Sequence, residues 1–178
     1  MDAPLWVFGY GSLMWDPCFA VAERDVARLQ GWQRRFCMWS VHYRGTADQP
    51  GLVLALDRSP EDHCDGIAFR VSPGAEALAL QTLRDRELIS YAYREEVLPV
   101  TLRDGREVQA LTYVINRDHD QYACGMTLED QARLIAVRGG IKGPNRDYLW
   151  NTVDHLANLG IADPDLDWLS ARVRDLAD

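Results

Sequence analysis

Hydrophobic positions in the first two thirds of the chain fall in short runs bounded by Gly, Pro and Asp, and in the last third they fall at helical spacing. Leu5-Trp-Val-Phe8 is a short apolar run that stops at Gly9. Residues Trp32 to Tyr43 are rich in the aromatic types that strands prefer. Gly51 to Asp57 and Cys64 to Val71 read as two further strands, separated by the turn-like cluster Arg58-Ser-Pro-Glu-Asp62. Tyr93 to Leu102 and Glu107 to Val114 flank Asp104-Gly105, a good hairpin signal. These runs predict about six strands, enough for a small barrel or a strongly curled sheet.

One helix interrupts the strands, Ala75 to Ser90, after Ser72-Pro73-Gly74. Beyond it, Thr127 is placed to cap a helix running to Arg138, with Glu129 and Asp130 in the first turn and Gly139-Gly140 ending it. Asn145 is placed to cap another, with Leu149, Val153, Leu156 and Leu159 on one side and Gly160 at its end. Pro164 opens a last short helix to about Leu176. No linker, repeat or composition break divides the 178 residues. The expectation is one α+β domain over residues 1–178, a small mixed β-barrel with flanking helices.

Composition narrows the function classes. No apolar run approaches the roughly 20 residues that span a membrane, and Met1-Asp-Ala-Pro-Leu5 has no basic region of the kind that opens a secretion signal. A cytoplasmic protein is expected. The net charge of −8 argues against nucleic acid and anionic lipid as partners; Arg34-Arg35, the densest basic pair, points to opposite faces of an alternating segment. Cys18, Cys37, Cys64 and Cys124 form no C-x-x-C pair, and four scattered histidines suggest no zinc site.

Four segments hold candidate chemistry. In Phe8-Gly9-Tyr10-Gly11-Ser12-Leu13, two glycines near a strand end leave backbone N–H groups accessible to an anion or a polarised carbonyl. The alternative is a tight turn in which glycine merely supplies positive φ. The segment is neither a Rossmann fingerprint nor a P-loop. Glu87 continues the helical stripe Leu80, Leu83. A carboxylate there is costly to bury, and burial would raise its pKa toward the range where a general acid/base works best; an exposed helix end paired with Arg84 or Arg86 is the alternative. Ser40, His42 and Arg44 share one face if the strand extends that far, and Arg44 is the better candidate, as a forked donor to a carboxylate. Tyr148, one turn after Asn145, either faces a site or packs in the core.

In this order, these pieces resemble the ChaC-type γ-glutamylcyclotransferases. The resemblance rests on Trp6-Val-Phe-Gly-Tyr-Gly-Ser-Leu-Met-Trp15, Leu29-Gln-Gly-Trp-Gln-Arg-Arg-Phe36, Arg44-Gly-Thr46, Pro50-Gly-Leu-Val-Leu-Ala-Leu-Asp57, Gly66-Ile-Ala-Phe-Arg-Val71, Arg86-Glu87 followed by Tyr93, and Gly143-Pro-Asn-Arg-Asp-Tyr-Leu149. It spans nearly the whole chain. One departure is Leu88-Ile-Ser-Tyr91 after Glu87, where relatives often have a glycine before the tyrosine.

The resemblance implies the γ-glutamylcyclotransferase-like barrel fold and conversion of glutathione to 5-oxoproline and cysteinylglycine, with no metal or cofactor. It implies that Gly9, Tyr10, Gly11, Ser12 and Leu13 hold the γ-glutamyl group and that Glu87 moves the proton. Ser40, Arg44 and Tyr148 join them as candidate substrate-binding residues. The alternatives are a cyclotransferase for other γ-glutamyl amino acids or amines, a cysteine hydrolase using Cys37 or Cys64 with His42 or His63, and a non-catalytic ligand-binding barrel.

Overall fold

The computed structural model describes residues 3–178; Met1 and Asp2, on which the reading of the N-terminus partly rests, lie outside the described residues. Its elements are β1 (Trp6–Gly9), β2 (Val21–Ser40), β3 (Gly51–Val71), α1 (Glu76–Glu87), β4 (Tyr93–Leu102), β5 (Glu107–Ile115), α2 (Leu128–Val137), β6 (Gly139–Gly140), β7 (Gly143–Pro144), α3 (Asn145–Asn158) and α4 (Pro164–Ala177). β1 to β5 close into a barrel in the order β1-β3-β2-β4-β5, and β6 and β7 form a separate two-stranded sheet. This is the expected α+β class. The chain forms two compact units. One holds the chain up to Arg34 with Ala55–His119, the other Arg35–Leu54 with Asp120–Asp178.

In the first unit, β1 pairs antiparallel with β3, from Trp6 opposite Arg70 to Gly9 opposite Ile67, and parallel with β5 through Trp6 and Val7. β4 and β5 pair along their whole length, from Tyr93 opposite Ile115 to Thr101 opposite Glu107. Asp104-Gly105 makes their turn: Gly105 has φ 94° and its N–H donates to Leu102 O at 2.9 Å. Glycine adopts that conformation without steric cost. Val7, Leu13, Val71, Ala79, Leu83, Leu111 and Tyr113 form a buried apolar cluster, so α1 covers the same core that β1 and β5 supply.

Two strand boundaries differ from expectation. β2 begins at Val21 rather than Trp32. Its first half is highly charged, which disfavours strand on propensity alone, but the charges have cross-strand partners. Glu23 pairs with Arg70 at 3.2 Å and with Arg106, and Arg28 holds Asp65 at 2.8 and 3.0 Å. The cluster Arg58–Asp62 is not a turn; β3 runs through it unbroken. Its side chains are mostly exposed, so polar composition here marks a solvent-facing stretch of strand. Arg117 holds this stretch, donating to Asp57 Oδ1 at 2.8 Å and to Arg58 O at 2.9 Å.

In the second unit α2, α3 and α4 pack on one another. Thr127 caps α2 in a full capping box: its hydroxyl accepts from Asp130 N while the Asp130 carboxylate accepts from Thr127 N. Gly139-Gly140 does not simply end this helix but pairs with Gly143-Pro144. A Cβ on Gly140 would lie 2.3 Å from His42 O, so the hairpin fits there only without a side chain. No described helix is long and apolar enough to cross a membrane.

Asn145 does not cap α3, because Pro144 occupies the cap position. Its side chain, fully buried, closes a two-bond clamp on β3: Nδ2 donates to Leu52 O and Oδ1 accepts from Leu52 N, both at 2.8 Å. Removing the amide strands a buried N–H and a buried C=O together, each costing about 1–3 kcal/mol. Asn145→Ala is therefore expected to lower stability by roughly 2 kcal/mol or more, read as a lower urea midpoint with an unchanged slope.

Candidate active site

β1 ends at Gly9 and the chain turns at once into a short 3-10 helix, Ser12–Met14. Met14 N donates to Gly11 O at 2.9 Å and Asp16 N to Ser12 O at 2.9 Å. The amides that open such a turn have no intrahelical acceptor. Close approach favours glycine at Gly9 and demands it at Gly66. A Cβ on Gly9 would stand 3.0 Å from Leu13 Cβ, and one on Gly66, across the strand pair, 2.3 Å from Gly9 O. Gly11 itself has φ −133°, so the positive φ entertained for this turn is not what its glycine supplies.

Tyr10 is buried, and its hydroxyl donates to Tyr113 O at 2.8 Å. Its carbonyl accepts from Arg34 Nε at 2.6 Å. Arg34 is only 3% exposed, a buried guanidinium gripping the loop backbone. Sequence reasoning missed this role: Arg34 sat inside a quoted motif, but its acceptor is a backbone carbonyl, which has no signature of its own.

Glu87 is the last residue of α1. Leu83 is fully buried and Leu80 packs on the same cluster, so the stripe read from spacing is a buried face. The Glu87 side chain is 16% exposed. Desolvation raises its pKa above the usual carboxylate value, and the neighbouring Arg86 charge opposes part of that rise. Arg86 Nε lies 3.5 Å from Glu87 Oε1. The same guanidinium donates through Nη2 to Ser12 Oγ at 2.9 Å and through Nη1 to Asp16 O at 3.1 Å. The acidic helix end and the glycine turn, read separately in the sequence, are thus joined by one side chain.

A second carboxylate stands nearby in a different state. Glu95 accepts from Arg84 at 2.8 and 3.0 Å and from the Tyr113 hydroxyl at 3.1 Å, and chiefly the Arg84 bond lowers its pKa. The Tyr113 hydroxyl is pushed well above its ordinary value, first by burial, then by the charge and hydrogen bond of Glu95, and in part by the charge of Glu87. Environment thus pushes the two glutamates apart, the pattern that separates a proton-transferring carboxyl from a structural one.

Ser40, Arg44 and Tyr148 lie in the second unit, where they meet one another. β2 ends at Ser40, so strand alternation does not extend to His42 or Arg44. Ser40 Oγ accepts from Arg44 N at 3.0 Å; Arg44 Nη1 donates to Lys142 O at 2.9 Å and Pro144 O at 3.1 Å; the guanidinium lies 5.7 Å from the Tyr148 ring centre; and Tyr148 Oη accepts from Leu54 N at 3.2 Å. All three thereby tie down backbone. Cys37 and Cys64 are buried, while His42 is exposed and His63 faces Asp65 at 4.0 Å. Among the described residues no three His, Cys, Asp or Glu side chains converge as metal ligands would.

The family model described as ChaC-like protein matches residues 5–176. The chain belongs to the ChaC-like family. Its relatives within the curated proteins include the glutathione-specific γ-glutamylcyclotransferase of Escherichia coli K12, 35% identical over 175 residues, covering 98% of this chain and 75% of the relative. The human glutathione-specific γ-glutamylcyclotransferase 1 is 31% identical, covering 88% and 71%. A solved yeast γ-glutamyl cyclotransferase specific to glutathione superposes with a TM-score of 0.86 at 23% identity, covering 98% of this ChaC-like chain and 97% of that one. That likeness establishes the shared fold.

Burial of Glu87 has a consequence for stability. Its folded pKa is raised above the unfolded value, so the folded state holds this proton more tightly than the unfolded one. The associated stability is present below the unfolded pKa and lost as pH rises through the folded pKa. Glu87→Gln is expected to be more stable than the native protein at neutral pH, with the gap narrowing in acid; thermal midpoints measured across pH test this.

Proposed function

We propose that this ChaC-like protein is a glutathione-specific γ-glutamylcyclotransferase that releases 5-oxoproline and cysteinylglycine. The observation that carries the chemistry is the desolvated Glu87 carboxyl linked through Arg86 to the Ser12 turn. The substrate follows from relatives at 31% and 35% identity that are named glutathione-specific.

The reaction needs a base and a place for developing negative charge. The γ-glutamyl amine is mostly an ammonium at neutral pH and does not attack in that form. Glu87 as carboxylate takes a proton from it; the freed nitrogen attacks the γ-carbonyl carbon and closes a five-membered ring. As the bond to the cysteinyl nitrogen breaks, the protonated Glu87 returns that proton to the departing nitrogen. The ring nitrogen, left with one proton too many by the attack, passes its second proton through the same carboxylate to the departing amine, which leaves as an ammonium. One carboxyl serving both steps contributes about 10²–10⁴-fold. The amides of the Gly9–Leu13 turn are assigned to the carbonyl oxygen, where one well-placed donor is worth about 3–4 kcal/mol. A substrate folded so that amine meets carbonyl gains an orientation term as well. No side-chain nucleophile and no metal enter this scheme.

Glu87→Gln keeps the shape but exchanges no proton. Glutathione turnover, followed as 5-oxoproline, is expected to fall at least about 100-fold, and turnover near the native rate would remove Glu87 from the mechanism. Because burial raises its pKa, the acid limb of the native rate profile is expected at higher pH than an ordinary carboxylate would give.

Arg44 stays in the reading as the candidate cation for a substrate carboxylate, beside its contacts with Lys142 and Pro144. Arg44→Ala is expected to lower kcat/KM for glutathione by roughly ten- to a hundred-fold, from a lost charge-assisted bond of about 1.5–3 kcal/mol. A γ-glutamyl substrate without the terminal carboxylate should lose less. Equal losses on the two substrates would mean that Arg44 is structural or serves the γ-glutamyl end.

A further inference from the structure

We propose that Arg86 is a positioning residue for this reaction, a single guanidinium that sets the spacing between the Glu87 carboxylate and the Ser12 turn. Its three nitrogens go to three different groups: Nε to Glu87, Nη1 to the Asp16 carbonyl and Nη2 to Ser12 Oγ. Ser12 and Asp16 are themselves joined, since Asp16 N donates to Ser12 O at 2.9 Å. Arg86 therefore grips the turn at both ends. The Asp16 carboxylate, at 3.6 Å and 68% exposed, adds little.

This arrangement does two separable things. Because Ser12 Oγ accepts from Arg86, the hydroxyl proton is turned away from the guanidinium and left to donate elsewhere. Because the positive charge sits beside Glu87, it favours the ionised form that burial disfavours. The first action needs the planar fork, the second only the charge. Lysine supplies charge without the fork, and so the two can be told apart. The other ionisable groups around Glu87 are Tyr113 on β5, Glu95 on β4 behind it, Arg84 on α1 and Asp16 beyond Arg86. All of them remain in every variant below.

The inference rests on the cyclotransferase reading, and the experiment separates the two. Native protein, Arg86→Lys, Arg86→Gln, Ser12→Ala and the Ser12→Ala/Arg86→Lys double variant are assayed on glutathione for kcat and KM across pH, with thermal midpoints alongside. Arg86→Gln is expected to raise KM about tenfold and to move the acid limb of kcat to higher pH. Arg86→Lys is expected to raise KM similarly while the acid limb stays near its native position. The double variant should be no worse than the poorer single one, because both singles break the same bond. A native KM in Arg86→Lys, an unmoved acid limb in Arg86→Gln, or additive losses in the double variant would each overturn the proposal. So would lower thermal midpoints with unchanged KM and pH profile, which would make Arg86 purely structural. A native protein inert toward glutathione would instead sink the functional reading, and this proposal with it.

Discussion

A strand hydrogen-bonded along both edges has no backbone groups left for water and must enter the interior whole. β1 is in that position, with β3 on one side and β5 on the other, and all four of its residues are buried. The Thr112 hydroxyl adds a bond to Phe8 O at 3.0 Å, so even side-chain chemistry is turned on this short backbone. The barrel has no open edge there. It also has no slack: a Cβ on Gly66 would strike Gly9 O. The turn that follows inherits this rigidity, held further by Tyr10 on Tyr113 O and Arg34 on Tyr10 O. In the proposed reaction this puts the backbone donors and the Ser12 hydroxyl on a turn tied into the barrel, the condition under which electrostatic stabilisation costs least reorganisation.

The Glu87 carboxylate is where the fold gives up stability. An apolar stripe that ends in an acid buries that acid by construction, and α1 has Leu83 fully buried one turn earlier. A neutral residue would suit the core better. What the protein gains is a carboxyl with raised proton affinity beside one whose affinity is lowered, Glu95, held by Arg84. The two glutamates differ in partners and not in type. Arg86 keeps the first from being an unpaired buried charge while leaving it dominated by desolvation.

Polar residues in the second unit do another kind of work. Asn145, Arg44 and Tyr148 all meet backbone atoms, on Leu52, on Lys142 and Pro144, and on Leu54. A backbone N–H or C=O that no ladder pairs must find another partner, and side chains supply one. The Gly143–Leu149 motif therefore has a structural explanation in the fold itself, apart from any contact with substrate.

Much of the chain was legible from local pattern. The Asp104-Gly105 hairpin, the Thr127 cap and the buried face of α1 all depend on residues within a few places of one another, although α1 ends at Glu87 and not at the expected Ser90. The ordered motifs pointed to the family in the same way. The miscast pieces share a cause. Arg58–Asp62 has turn composition but strand backbone, because Arg117, 60 residues from Asp57, holds it. Asn145 has cap chemistry but reaches Leu52, 93 residues away. Arg34 stood in plain view without a role, and Arg86 only as an alternative ion partner for Glu87, since their other acceptors are a carbonyl at Tyr10 and a hydroxyl and carbonyl at Ser12 and Asp16. By itself the sequence determined periodicity, caps, turns and the residue types available for proton transfer, because those are set by neighbours along the chain. Only the tertiary structure decided which polar group meets which, because a hydrogen bond to a distant backbone atom depends on where the fold brings that atom and leaves no mark on the residue that owns it.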